Sequence, residues 1–228
     1  AFKSAIKVDP NNVLGSNWTE NTNFCNWIGV SCSPHRQRVT ALSLPSMGLQ
    51  GTISPHVGNL SFLMELYLAN NSFHGHLIQE LSHLRRLNVL VLESNHLEGA
   101  IPASLHHCRK LQVISIAANG LTGGIPRELS TLPRIRTLYF GGNKLRGTIP
   151  AFFGNMSSLE YLALEQNELH GNIPDEIGHI PTLEGINFYG NYLTGQIPPS
   201  IFNSSSLLEI SLSVNGLSGN LPSSTGRW

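Results

Sequence analysis

Apolar and polar positions along this chain recur with a long, fixed period. Between Leu87 and Lys110, leucines stand at Leu87, Leu90 and Leu92, followed by Asn95, Leu97, Gly99 and the pair Ile101-Pro102. The same order returns 24 residues away in either direction. A period of this length marks a repeat architecture and outranks an element-by-element reading. Repeats begin at Val39, Leu63, Leu87, Leu111, Ile135, Leu159, Leu183 and Leu207, with no insertion between them. An asparagine column runs through Asn71, Asn95, Asn119, Asn143, Asn167, Asn191 and Asn215, and the first repeat has Met47 there. Four residues on, the glycine column from Gly51 to Gly219 is unbroken. Proline closes the Ile-Pro pair from Pro102 to Pro222, replaced by Ser54 and Ile78 in the first two repeats.

Each column has a physical cause. Side chains on a strand alternate between faces, so the leucines at repeat positions 1, 4 and 6 are expected to point inward, into a core. Adjacent coils then pair these short strands in parallel, about 4.8 Å apart, and eight coils make a stack of roughly 35–40 Å. The asparagine lies where the coil leaves the strand. Its amide can satisfy backbone groups of its own and the neighbouring coil that would otherwise be buried unpaired. Glycine permits a tight bend, and proline restricts the outer segment to extended or polyproline-like conformations. Cys108 shares a column with Leu60, Leu84, Leu132, Met156 and Ile180, where a small buried hydrophobe fits.

Residues 1–38 depart from the period and read as an N-terminal cap. The start, AFKSAIKV, reads as the end of an amphipathic helix with Phe2, Ala5 and Ile6 on one face, and Asp9 to Asn12 as a helix stop and turn. A stack of repeats exposes raw core at its first coil, so an atypical piece must cover it. A Cys25–Cys32 bridge beside Trp18 and Trp27 would compensate for the cap's thin core.

The run Trp18, Cys25, Trp27, Gly29, Val30 and Cys32, spaced W-x(6)-C-x-W-x-G-V-x-C, resembles the N-terminal cap of plant leucine-rich-repeat receptors. The following L-x-G-x-I-P repeats resemble the plant-specific form, so the likeness covers nearly the whole chain. Their wording resembles the ectodomains of receptor kinases that sense microbial patterns. The resemblance implies an α/β repeat fold: a right-handed leucine-rich-repeat solenoid with its parallel sheet on the concave face. Residues 1–38 would be the cap, and residues 39–228 eight repeats of an array cut at its C-terminal end. It further implies recognition of a peptide or protein ligand for defence signalling and a co-receptor kinase ectodomain as partner. The membrane would be reached only through a downstream transmembrane helix, on the apoplast-facing side of the plasma membrane. Alternatives within reach are a growth or peptide-hormone receptor, a secreted inhibitor resembling the polygalacturonase inhibitors, and a short-ectodomain co-receptor.

Composition removes other classes. Charged residues make up only 12% of the 228 residues, and 14 basic balance 14 acidic side chains. There is thus no electrostatic footprint for nucleic acid or an anionic membrane. No apolar run approaches the roughly 20 residues that span a bilayer. The opening Ala1-Phe2-Lys3-Ser4 falls in mid-element, so the chain is expected to be cut at both ends. Sequons at Asn17, Asn59, Asn70, Asn155 and Asn203, with the close cysteine pair, point to a secreted, oxidising compartment. No phosphate loop, nucleophile elbow, zincin or kinase motif occurs, so a catalytic role is not expected and no cofactor is implied. The ten histidines include His74, His76, His83, His106, His107 and His179, but imidazoles without thiolate or carboxylate partners make a poor metal site.

The informative positions are those between the leucines, which face outward on the concave sheet. Tyr67, Tyr139, Tyr161 and Tyr189 all fall there, and tyrosine offers apolar area with a polar tip. Tyr139, Tyr161 and Tyr189 on successive repeats would form one patch with Glu165 and Asn187. Val89, Val91 and Val113, beside Glu93, would form a smaller one. A glycan on Asn70, at the sheet rim, would shift the contact zone toward repeats four to eight.

Overall fold

The computed structural model describes residues 2–220; Pro222, assigned above to a repeat column, lies outside the described residues. The concave sheet stacks Val39–Ser43, Glu65–Tyr67, Val89–Val91, Val113–Ser115, Thr137–Tyr139, Tyr161–Ala163, Gly185–Asn187 and Glu209–Ser211, each parallel to the next. Register advances by one whole repeat per strand: Leu66 faces Leu90, which faces Ile114, which faces Leu138. Those inward side chains are fully buried, as are Phe73, Phe140, Phe153 and Phe188. Burial of this continuous apolar column is the main force holding coil to coil.

After the asparagine turn the chain forms a further set of short strands that the repeat pattern did not predict. Ser72–His76, His96–Ala100, Gly120–Gly123, Lys144–Gly147, Glu168–Gly171 and Tyr192–Gly195 pair in parallel, between Gln50–Thr52 and Gly216–Leu217, as a second sheet. The asparagine column explains it. Asn95 Oδ1 accepts the Phe73 N–H of the preceding coil at 2.9 Å, inside one of these strands. Its Nδ2 donates to the carbonyls of Leu68, Leu92 and Glu93 at 3.0–3.1 Å. Asn71, Asn119, Asn143, Asn167, Asn191 and Asn215 reach two coils in the same manner. The side chains therefore fix the register at which the second ladder begins. Beyond it, Pro102, Pro126, Pro150 and Pro174 lead into single 3₁₀ turns such as Ala103–His107.

Two backbone columns run left-handed. In the glycine column, Gly99 has φ 78°, and a Cβ there would lie 2.2 Å from the His76 ring. The residue before each ladder position is the second, including Ser94, Ala118, Gln166 and Val214 at φ 51–56°. Non-glycine residues in this region cost about 1 kcal/mol each, and a β-branched one is an outlier. The ladder bonds to the next residue hold them there.

The cap corrects the helical reading of the first residues. After one 3₁₀ turn, Lys3–Ala5, the chain becomes the strand Ile6–Val8, antiparallel to Gln50–Thr52. Asp9, read as part of a helix stop, instead starts one: its carboxylate accepts the N–H groups of Val13, Leu14 and Gly15 at 2.7–3.1 Å. This satisfies the orphan donors of Val13–Asn17. A second cap strand, Val30–Cys32, lies antiparallel to Val39–Ser43, so the cap closes the first edge of both sheets. Cys25 and Cys32 are joined, with their Cα atoms 5.5 Å apart. Trp18 and Trp27 stack at 5.0 Å, and their indole N–H groups donate to the Ile28 and Thr22 carbonyls. Cys108 is a free thiol, fully buried, donating to the Leu81 carbonyl at 3.1 Å. Burial pushes its pKa up to about 11, so it stays neutral and unreactive at ordinary pH.

Candidate ligand-binding face

On the concave sheet, three outward columns are set by strand register. The first runs Thr137, Tyr161, Gly185, Glu209, and the second Tyr139, Ala163, Asn187, Ser211. Gly141, Glu165 and Tyr189 occupy the third, two residues further along their repeats. Between the columns lies a hollow of about 360 Å³ lined by Tyr139, Tyr161, Glu165, Asn187, Glu209 and Ser211 over a floor including Leu162 and Ile186. The structure thus brings together four of the predicted residues: Tyr139, Tyr161, Glu165 and Asn187. Tyr189 stands outside the hollow as an exposed neighbour.

Two glycines make room for the ring and the carboxylate that line the hollow. Gly185 lies in register between Tyr161 and Glu209, and a Cβ there would come within 2.9 Å of the Tyr161 ring. Glu165 folds over Gly141, where a Cβ would meet its Oε1 at 2.2 Å. The Tyr161 hydroxyl donates to Glu184 Oε2 at 2.8 Å. That hydrogen bond, with the charge of Glu184, raises the phenol's pKa, and burial, Glu209 and Tyr139 add to the rise. The phenol is therefore held neutral, as a donor.

Toward the N-terminal side the predicted patch is smaller than expected. Val91 is only 7% exposed, covered in register between Tyr67 and Ser115, and it offers a ligand little area. Glu93 accepts the Ser115 hydroxyl, so it is already engaged. Tyr67 is half-buried. Glu184 and Glu209 were not among the residues singled out from sequence. Glu209 lay in the outward column, and Glu184 sits one residue before its strand, where alternation gives no facing rule.

A larger hollow, about 540 Å³, lies between the cap and the first coils, walled by Phe2, Trp18, Phe24, Trp27 and Phe62. Its lining is mainly apolar, whereas converging polar groups mark the concave hollow, which is the better candidate for a specific ligand. Asn59, Asn155 and Asn203 are exposed at the ends of outer turns. Asn70 is exposed at the sheet rim, and Asn17 is half-buried with its side-chain oxygen accepting the Ile28 N–H. Among the described residues no three His, Cys, Asp or Glu side chains converge as metal ligands. No helix among them is long and apolar enough to cross a membrane.

Comparison with known proteins agrees with this architecture. Residues 1–33 match the leucine rich repeat N-terminal domain; residues 62–84, 85–145, 158–180 and 182–204 match leucine rich repeats. The chain belongs to the leucine-rich-repeat family, in the form carried by plant receptor-like kinases. It is 43% identical over 83 residues to the LRR receptor-like serine/threonine-protein kinase EFR of Arabidopsis thaliana. That match covers 36% of this chain and 8% of the relative, so the chain spans a small part of the curated relatives it matches. The Arabidopsis receptor kinase HAESA, solved with the peptide hormone IDA and the co-receptor SERK1, superposes with TM-score 0.79 at 30% identity. This alignment covers 99% of this chain and 42% of the solved HAESA chain. A plant ice-binding protein superposes with TM-score 0.87 at 32% identity, covering 95% of this chain and 69% of the other.

Proposed function

We propose that this chain is part of the extracellular ligand-recognition domain of a plant receptor kinase, holding a peptide or protein ligand on its concave sheet. The observation that carries this reading is the convergence of Tyr139, Tyr161, Glu165 and Asn187 on one hollow of that face. Two aromatic walls with a few fixed polar groups are what an extended ligand needs for affinity and register. The likeness to EFR supports a role in defence signalling, and the HAESA complex supports both a peptide ligand and a co-receptor ectodomain as partners. The HAESA likeness also favours the second reading, a peptide-hormone receptor, which would use the same face. Irregular columns such as Glu65, Val89, Val113, Thr137, Tyr161, Gly185 and Glu209 suit an irregular ligand better than a lattice, which weighs against an ice-binding role.

The disulfide and the exposed sequons Asn59, Asn70, Asn155 and Asn203 support an apoplast-facing location. The kinase and its membrane anchor belong to the longer protein of this reading. Within the chain we place the cap at residues 1–38 and the repeats from 39 onward. A peptide selected by display against this chain should lose about tenfold in affinity on Tyr161→Ala and on Tyr189→Ala. Unchanged affinity in both variants, folded by circular dichroism, would remove the concave face from the account.

A further inference from the structure

The zero net charge of the chain conceals a segregation along the stack. Thirteen of its 14 basic side chains lie at or before Arg146, and between Gly147 and Gly226 there are seven carboxylates and no lysine or arginine. Much of the positive charge falls on one ridge. The two-residue turn that leads into each concave strand holds Arg85-Arg86, Arg109-Lys110 and Pro133-Arg134 in three successive coils, and Phe62 and Arg38 precede them in the same column. Arg38, Arg85, Arg86, Arg109, Lys110 and Arg134 are all exposed. The ion pairs among the described residues join Arg136 to Glu160, Arg146 to Glu168 and His179 to Asp175, so no carboxylate of the chain neutralises these six. Phe62 adds an independent sign. The Arg86 guanidinium carbon lies 4.3 Å from its ring centre and that of Arg38 5.5 Å. One ring thus gathers two like charges, neither of them paired to a carboxylate. Arg85 is held in place as well, donating to the His107 carbonyl of the next coil at 3.0 Å.

We infer that this ridge is a docking surface for a linear polyuronate, an acidic polysaccharide with one carboxylate per sugar. The ridge runs beside the concave sheet, so the inference goes beyond the ligand face and does not depend on it. Spacing selects the partner. Arg86, Lys110 and Arg134 recur once per coil, about 4.8 Å apart, and the row from Arg38 to Arg134 covers about 19 Å. Each sugar of a linear polyuronate advances by about the thickness of one coil and brings one carboxylate, so a polymer laid along the stack stays in step with the row. An extended acidic peptide presents same-face carboxylates about every 6.8 Å and drifts out of step. A guanidinium takes a carboxylate through two parallel N–H groups, and the pair gathered at Phe62 would exchange mutual repulsion for a shared oxyanion. Arg85 and Arg109, one residue earlier in their turns, form a second row for carboxylates on the polymer's other edge. The equivalent turns Ser157-Ser158, Pro181-Thr182 and Ser205-Ser206 are neutral, and the acidic coils that carry them repel a polyanion, so the surface has a defined end.

The test titrates the chain with a galacturonate decamer, the same decamer fully methyl-esterified, and a glutamate decapeptide, followed by isothermal titration calorimetry. The galacturonate should bind about tenfold more tightly than either comparator, and its affinity should fall steeply with added salt. Arg86→Gln, Lys110→Gln and Arg134→Gln combined should weaken it about tenfold, since each exposed contact is modest and the three add. Arg127→Gln, Lys144→Gln and Arg146→Gln combined remove the same charge from other sides of the stack and should change it less than twofold. Circular dichroism checks that both triple variants keep the fold. Equal binding of the free and esterified decamers, or equal losses in the two triple variants, would overturn the ridge. A glutamate decapeptide bound as tightly as the galacturonate would overturn the polyuronate and put an acidic protein segment in its place.

Discussion

Asn143→Leu should lower the stability of the stack by about 2–3 kcal/mol, despite nearly conserving volume, because it strands one buried backbone N–H and takes one donor from each of three carbonyls. Asn143 Oδ1 accepts from Leu121 N–H at 3.0 Å, and Nδ2 donates to Ile116, Phe140 and Gly141 carbonyls at 3.0–3.2 Å. The losses are unequal. Ile116 carbonyl also accepts from Asn119, Phe140 carbonyl from Asn167, and Gly141 carbonyl from the Ala118 N–H, so each keeps a partner. Leu121 N–H, by contrast, is left facing an isobutyl group where the amide oxygen stood. This sharing of acceptors makes the column a ladder, and it caps the cost of removing one rung. The denaturation midpoint is the readout; a midpoint equal to wild type would show that the asparagines are not bearing these backbone groups.

Replacing Cys25 and Cys32 together by serine should cost about 2 kcal/mol, the closure entropy of a short loop with a sequence separation of 7. The effect should be local. Each coil contacts its neighbours and little else, so protection from hydrogen exchange should fall in Val30–Cys32 and Val39–Ser43. The coils from residue 135 onward should keep theirs. A uniform loss along the whole stack would instead mean that the cap holds the array together as one cooperative unit.

The stack was legible because its constraints act through side chains. Leu66, Leu90, Ile114 and Leu138 are apolar because each fills one layer of core, and Asn95 and its column are amides because only an amide both donates and accepts at that turn. The second sheet was not legible, since its strands, such as His96–Ala100, are held by backbone bonds that leave residue type free. The left-handed column is only partly announced: Gly142 and Gly190 stand in it, but Ser94, Ala118, Gln166 and Val214 adopt it under pressure from the ladder. In the cap, Ile6–Val8 is a strand only because Gln50–Thr52, some 40 residues on, offers an edge. Of the site, alternation revealed which residues face the concave side, but not which are covered. Val91 lies under its neighbours, and Glu184 reaches the hollow from outside the alternating strand.

The central claim is that ligand lies on the concave sheet, across the hollow at Tyr139 and Tyr161. Photo-cross-linking from single positions tests it most directly. With benzoylphenylalanine placed at Tyr139 or Tyr189 on the concave face, and separately at the exposed His96 or His170 on the second sheet, each protein is irradiated with the display-selected peptide. Adducts from Tyr139 and Tyr189, with none from His96 and His170, are the predicted result. Adducts from the second sheet and none from the concave positions would contradict it.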